Sequence, residues 1–284
     1  RLVGRAGARV GRAGTRDSLS ATTDTPAHAL EMPRPSYAVQ PPRGYGALMR
    51  HTWDDVAEAT DALIATVESL PEGAQFEPSL CEGWTRGHVL THIARNAEGL
   101  GNLVTWAVTK VETPMYASAQ ARNDAIEAGS GRSMSTLRDD IRNASTWLGL
   151  GARALSPADD ATPLTVRGGV SDRASGLATR RLREVVYHHV DLLAGYSFHD
   201  VPAALVADFL GDEVGHLSAD PTAPPMILRT DEGDEYVVGD IALAGDRTAY
   251  LSGSRAALLG WLARGLTDGV QCQGGPLPEL PKGS

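Results

Sequence analysis

Four long stretches in which apolar residues recur with the period of an α-helix constrain the fold most. In the first, Ala59, Leu63 and Val67 follow one another at four-residue intervals, which sets them on one face of a helix. Four amphipathic helices bury their apolar faces best against one another, so the pattern predicts a four-helix bundle. The predicted helices cover residues 53–70, 85 to beyond 106, 134–155 and 173–196, with a short hairpin at 163–170.

The pattern changes after residue 200. One further helix is predicted at 203–217, and short β-rich stretches then alternate with glycine-containing turns. The sequence therefore predicts the α+β class, with a bundle over residues 49–200 and a small α+β domain over 201–284. In that domain, strands are predicted at 226–230, 236–238, 248–251 and 269–272, and a last helix at 254–265.

The first 48 residues have a different composition from the rest. They are rich in glycine, alanine, arginine, serine and proline and show no sustained apolar period. Such a segment cannot bury enough apolar surface to fold, so residues 1–48 are predicted to be a disordered tail. The chain begins with arginine, and Met32 or Met49 would be a better start.

Charge and cysteine content exclude several classes of protein. The net charge of −9 repels nucleic acid, and no apolar run approaches the roughly 18 residues of a membrane span. Arginines interrupt the N-terminal segment, so no signal peptide is predicted. Two cysteines cannot build a disulfide framework. We therefore expect a cytoplasmic protein that binds neither nucleic acid nor membranes.

Two pairs of side chains at metal-ligand spacing lie on predicted helices. Glu184 and His188 are four residues apart on the fourth helix, and His88 and His92 are four apart on the second. One ligand from the second helix and two from the fourth would make a three-ligand site with open positions, as in catalytic zinc sites. A Glu–His pair one turn apart is also common as a hydrogen-bonded couple, and His88 can simply cap its helix. Spacing alone leaves both interpretations open.

Longer motifs carry a resemblance to a known family. Residues 79–92 (SLCEGWTRGHVLTH), 112–116 (ETPMY) and 121–123 (ARN) resemble the mycothiol-dependent maleylpyruvate isomerases. The stretch RLRE at 181–184, followed by His188 and VDL, resembles that family's second metal segment. SGS at 252–254 and TDGV at 267–270 are similar to its C-terminal end. The motifs keep the family's order over residues 53–280.

The resemblance implies a DinB-like bundle followed by a small domain similar to sterol carrier proteins. It also implies a zinc ion held by His92, Glu184 and His188, and mycothiol as a second cofactor. A family arginine near the end of the chain is associated with catalysis. In an ungapped match Gly265 takes its place, so Arg264, one residue earlier, is the candidate catalytic residue.

The activity that the resemblance implies is cis–trans isomerisation of maleylpyruvate, a small diacid, to fumarylpyruvate by reversible thiolate addition. Arginine suits the carboxylates of such a substrate, and Arg264, Arg181 and Arg183 are the candidates. For Arg181 and Arg183, surface ion pairing is an equal alternative. Neither protein cysteine is needed, and Cys81 is expected to be a small buried apolar group. The motifs leave two alternatives open: a mycothiol S-transferase acting on another electrophile, and a non-catalytic metal-binding protein.

Overall fold

The computed structural model describes residues 51–281, which lie in one compact unit. The tail predicted for residues 1–48 lies outside the described residues. None of the helices within 51–281 combines the length and apolar character that a membrane crossing needs. The bundle helices are α1 (Trp53–Ser69), α2 (Arg86–Thr109), α3 (Ala119–Ser130), α4 (Met134–Ala152) and α5 (Leu177–Asp191).

The bundle contains the four predicted long helices. Helix α1 begins where Thr52 and Asp55 form a capping box, in which each side chain satisfies the other's backbone N–H. Helix α2 packs against α4 and α5, and α1 packs against the same two helices. Each helix turns its apolar stripe inward, so the periodicity that predicted the helices also determines which faces meet.

Helix α3 was not predicted, and α5 is shorter than predicted. Helix α3 starts at its N-cap Ser118 but buries only four of its residues, so it has little apolar period to detect. The prediction of helix over 173–196 was wrong at both ends. Residues Ser171–Arg173 form strand β2, which pairs antiparallel with β1 (Pro163–Thr165), and beyond Asp191 both Leu193 and Gly195 adopt positive φ angles.

The C-terminal part is a four-stranded sheet with helices packed on it. Its strands are β3 (Met226–Thr230), β4 (Glu235–Val238), β5 (Ala249–Gly253) and β6 (Gln271–Cys272), in the order β4-β3-β5-β6. Strands β3 and β5 are parallel and the outer pairs are antiparallel. The predicted α+β class is confirmed. The helices are α6 (Ala203–Ala219), the unpredicted short α7 (Ile241–Ala244) and α8 (Arg255–Arg264).

Two apolar clusters divide the interior, and α5 contributes to both. Val185 belongs to the cluster inside the bundle, whereas Leu182 and Val186 pack with α6, α8 and the sheet. The end of α5 therefore lies where the two clusters meet. The predicted domain boundary near residue 200 stays a prediction, because the second cluster includes residues on both sides of it.

Candidate active site

Helices α2 and α5 bring His92, Glu184 and His188 together. One carboxylate oxygen of Glu184, Oε2, lies 2.9 Å from Nε2 of His92 and 3.4 Å from Nε2 of His188. The two imidazole rings are perpendicular, with centroids 4.7 Å apart. Candidate ligand atoms of all three residues lie within 4.8 Å of one another, so the three residues predicted to bind the metal form one cluster.

Hydrogen bonds fix the protonation of this cluster. Arg122 donates to Nδ1 of His92 at 3.0 Å, and since arginine cannot accept, the ring proton of His92 is on Nε2 and faces Glu184. Burial lowers the pKa of His92 to about 4, so this ring is neutral at pH 7. Burial also opposes charge on His188, but hydrogen bonds with Asp191, Cys81 and Glu184 raise its pKa well above the usual value.

Glu184 is the acceptor at the centre of the cluster. Burial works to raise its pKa, but the hydrogen bonds from His188 and His92 hold that pKa well below its usual value. Two N–H groups thus converge on one carboxylate oxygen. A divalent cation would replace those two protons while keeping the same three atoms together, which is how metal binding and proton release are coupled.

The three residues fit a metal ion with one adjustment. Two imidazole nitrogens and one carboxylate are a ligand set found in catalytic zinc sites, and three ligands leave a coordination position open. A metal on Nε2 of His92 would move the ring proton to Nδ1, which could then no longer accept from Arg122. Metal binding would therefore release the Arg122 hydrogen bond.

Asp191 lies behind His188 and is completely buried. Its Oδ2 accepts from Nδ1 of His188 at 2.7 Å and from Sγ of Cys81 at 3.3 Å. A carboxylate on the far nitrogen of a metal-binding histidine fixes the ring's orientation and tautomer. Burial would raise the pKa of Asp191, but its bonds with His188 and Arg264 keep it below the usual value.

The structure separates the three arginines proposed from sequence. Arg264 binds Asp191 with two nitrogens, Nε at 2.5 Å and Nη2 at 3.0 Å, and its third nitrogen donates to the carbonyl of Ala263. Arg183 donates to Glu213 on α6 at 3.2 Å. Arg181 is fully buried and donates to the backbone carbonyl of Ile93 and to Asn96.

Cys81 was predicted to have no part in the site, but it lies next to Asp191 and His188. The loop that carries it is fixed to the end of α5, because Leu80 N–H donates to the carbonyl of Asp191 at 3.0 Å. The Cys81 side chain packs against the bundle core but is only partly buried, and its thiol donates to the Asp191 carboxylate, so it is not the purely apolar buried group that was predicted.

Two further histidines of the motifs are used elsewhere. Nδ1 of His88 accepts from the Thr85 backbone N–H at 3.1 Å, which completes the cap of α2 as the sequence suggested. His189 hydrogen-bonds Thr66 and stacks on Tyr196, with ring centroids 3.5 Å apart. Neither ring faces Glu184.

A cavity of about 140 Å³ adjoins His92 and Glu184. Four arginines stand on its walls, together with apolar and aromatic side chains from α2, the segment before α3 and the β1–β2 hairpin. A second cavity of about 220 Å³ shares Met115, Tyr116, Val166 and two of the arginines. The polar residues lining the first cavity besides His92 and Glu184 are Asn96, Tyr116, Arg122, Arg167, Arg180 and Arg183.

No individual role was predicted from the sequence for Asn96, Arg122 or Asp191. Asn96 follows His92 by four residues and Asp191 follows His188 by three, so helical spacing could have placed both on the site face. Arg122 belongs to the ARN motif that resembles the family, but no helical spacing placed it at the site, because α3 was not predicted.

Comparisons with known proteins match the bundle and most of the fold. Residues 56–193 match the family model described as the mycothiol maleylpyruvate isomerase N-terminal domain. The crystal structure of the mycothiol-dependent maleylpyruvate isomerase superimposes with a TM-score of 0.74 and 29% identity, covering 80% of this chain and 94% of that one. A histidine-to-alanine mutant of that enzyme matches equally well. The comparison with curated proteins gave no match. Residues 56–193 therefore form a mycothiol maleylpyruvate isomerase N-terminal domain.

Proposed function

We propose that this protein is a zinc- and mycothiol-dependent isomerase that converts maleylpyruvate to fumarylpyruvate. The observation that carries the proposal is the convergence of His92, Glu184 and His188 beside an arginine-lined cavity, within a domain of this family. A cavity rich in arginine suits a diacid, because guanidinium groups bind carboxylates through paired hydrogen bonds. A cytoplasmic location remains a prediction from the sequence.

His92, Glu184 and His188 would hold the zinc ion, whose chemistry would be to lower the pKa of a bound thiol and hold the thiolate. Mycothiol would supply the nucleophile whose reversible addition lets the double bond rotate. The protein's own residues bind and orient. Asp191 keeps His188 turned toward Glu184, and Arg122, once released from His92, is a cation beside the substrate's developing negative charge.

The role that we propose for Arg264 differs from the catalytic role predicted from the sequence. Its guanidinium is already engaged by Asp191 through two hydrogen bonds, and Tyr187 covers it at 4.9 Å from the ring centroid. We propose that Arg264 acts through Asp191, by holding the carboxylate that orients His188, and does not bind the substrate.

The function is tested by incubating the purified, zinc-loaded protein with maleylpyruvate, with and without mycothiol. We expect fumarylpyruvate to form only when the thiol is present, because the scheme uses no protein nucleophile. Cys272→Ala should leave turnover unchanged. Cys81→Ala should retain turnover within about tenfold, since it removes one of several donors to Asp191. Product identity is measured by chromatography and ultraviolet absorbance.

Each of the other possible results would indicate a different function. A stable thiol adduct in place of fumarylpyruvate would make the protein a mycothiol S-transferase. Zinc binding without any thiol-dependent turnover would leave a non-catalytic metal-binding protein. Loss of turnover in Cys81→Ala, with zinc retained, would point to a protein thiol as nucleophile.

The role of Arg264 is tested by Arg264→Ala. We expect zinc affinity and kcat/KM each to fall about 10- to 100-fold, the usual effect of removing a residue that orients a metal ligand. Zinc affinity is measured by chelator competition. Arg255→Ala is the matched control, because Arg255 lies on the same helix and pairs with Asp234 at the surface. A raised KM with unchanged zinc affinity would instead indicate that Arg264 binds the substrate.

A further inference from the structure

The cavity beside His92 and Glu184 has more arginines on its wall than neighbouring carboxylates neutralise. Arg180 is paired with Asp172, and Arg183 with Glu213. Among residues 51–281, no carboxylate oxygen lies within 4 Å of the guanidinium nitrogens of Arg122 or Arg167, the other two arginines on the wall, or of the fully buried Arg181. Glu184, the one acidic residue on the wall, is already paired with His92 and His188. Arg122 and Arg181 are buried, whereas Arg167 is exposed at the mouth of the cavity. Because the buried charges have no counter-ion, which is costly, the cavity favours an anionic ligand.

Asn96 presents an unused donor to this cavity. It is 3% exposed, and its Oδ1 accepts from Nη1 of Arg181 at 2.8 Å. That bond fixes which way the amide points, because guanidinium only donates. Asn96 lines the cavity, and within residues 51–281 its other amide atom, Nδ2, donates no hydrogen bond. An amide N–H held in this position is an oxyanion donor that needs no reorganisation when a ligand binds.

Arg167 stands at the tip of the β1–β2 hairpin, over the same cavity. Its neighbour Val166 is buried in the bundle cluster and fixes the tip against the cavity. Gly168 and Gly169 have φ angles of +79° and +77°, which side-chain-bearing residues rarely adopt, so the tight turn depends on them. The side chain of Arg167 makes no hydrogen bond or ion pair with any residue in the described range 51–281.

We propose that Asn96 and Arg167 form a carboxylate-binding subsite at the metal-proximal cavity, with Arg181 as the positioning residue that orients the Asn96 amide. A carboxylate offers two acceptor oxygens, which suit one amide N–H and one guanidinium. The proposal rests on the proposed function and deepens it, because it assigns the residues that recognise one end of the diacid.

The test uses zinc-loaded full-length protein and maleate, a stable cis-dicarboxylate, with Kd measured by calorimetry. Arg167→Ala and Asn96→Ala should each weaken maleate binding about 10- to 100-fold, the value of a hydrogen bond to a charged group. In kinetics the same variants should raise KM for maleylpyruvate while zinc content stays unchanged. Arg173→Ala is the control, since Arg173 lies on the same hairpin and is exposed away from this cavity.

Asn96→Asp separates recognition from folding. The new carboxylate would keep the shape of the side chain and give Arg181 an ionic partner, so Tm should equal or exceed that of the wild type. It would also repel an incoming carboxylate, so maleate binding should weaken at least as much as in Asn96→Ala. A variant that melts lower yet binds maleate normally would show a purely structural role for Asn96.

The outcomes distinguish this inference from the proposed function. Unchanged maleate affinity and KM in Arg167→Ala and Asn96→Ala, in a protein that isomerises maleylpyruvate, would overturn the subsite alone. Maleate binding that depends on both residues, without isomerisation, would overturn the function and retain the subsite. Wild-type protein that neither binds maleate nor turns over maleylpyruvate would overturn both.

Discussion

His188→Ala and His92→Ala should each remove most of the bound zinc and lower kcat/KM by at least about 10³-fold. Each change leaves only two ligands on α2 and α5, which is too few for a catalytic zinc site. Zinc per chain is measured by elemental analysis, with about one expected in the wild type. Helix content, measured by circular dichroism, should stay close to that of the wild type, because the apolar core is untouched.

The chain offers a matched control for each histidine. His189→Ala removes the neighbouring side chain on α5, whose ring stacks on Tyr196, and His88→Ala removes one half of the capping box of α2. Both controls should lose some stability and keep their zinc. Full zinc occupancy in the double variant of His92 and His188 would contradict the proposed ligands. Iron in place of zinc in the wild type would contradict the proposed identity of the metal.

Asp191→Ala should cost about 3–5 kcal/mol of stability, because it leaves the Arg264 and His188 charges without their buried partner. Zinc affinity should also fall about 10- to 100-fold, since His188 would lose the group that orients it. Urea unfolding measures the first effect and chelator competition the second. Asp191→Asn should lie between the wild type and Asp191→Ala, because it keeps the shape and one acceptor.

The double variant of Asp191 and Arg264, both changed to alanine, tests whether the cost comes from the unpaired charge. It should be more stable than the sum of the two single variants predicts, because no guanidinium is then left without its carboxylate. Asp234→Ala is the control, since it breaks the surface pair with Arg255 and should cost no more than about 1 kcal/mol. If the Asp191→Ala variant were as stable as that control, Asp191 would not be the buried partner on which the Arg264 and His188 charges depend.

Local patterning predicted the helices and strands that bury apolar stripes. Helix α1 was predicted over 53–70 and observed as Trp53–Ser69, and strand β3 was observed at its predicted bounds. The period of the apolar residues is itself the physical cause of these elements, so it can be read from the chain. Helix α3 escaped detection because its burial rests on Arg122, Ile126 and two small residues at its end.

The same distinction holds within the site. Glu184 and His188 are one turn apart, so the sequence by itself determined that they share a face of α5. The family motif added His92. Only the tertiary structure decided that Arg264, 73 residues beyond Asp191, binds that carboxylate and does not line the cavity.

Three other contacts also depended on the fold. Arg122 reaches His92 across 30 residues and Arg181 reaches Asn96 across 85, while a hairpin turn sets Arg167 over the cavity. Helical periodicity is a short-range property of neighbouring residues and can be inferred one element at a time. The partner of a buried charge depends on which elements pack together, and no local spacing in the chain encodes that choice.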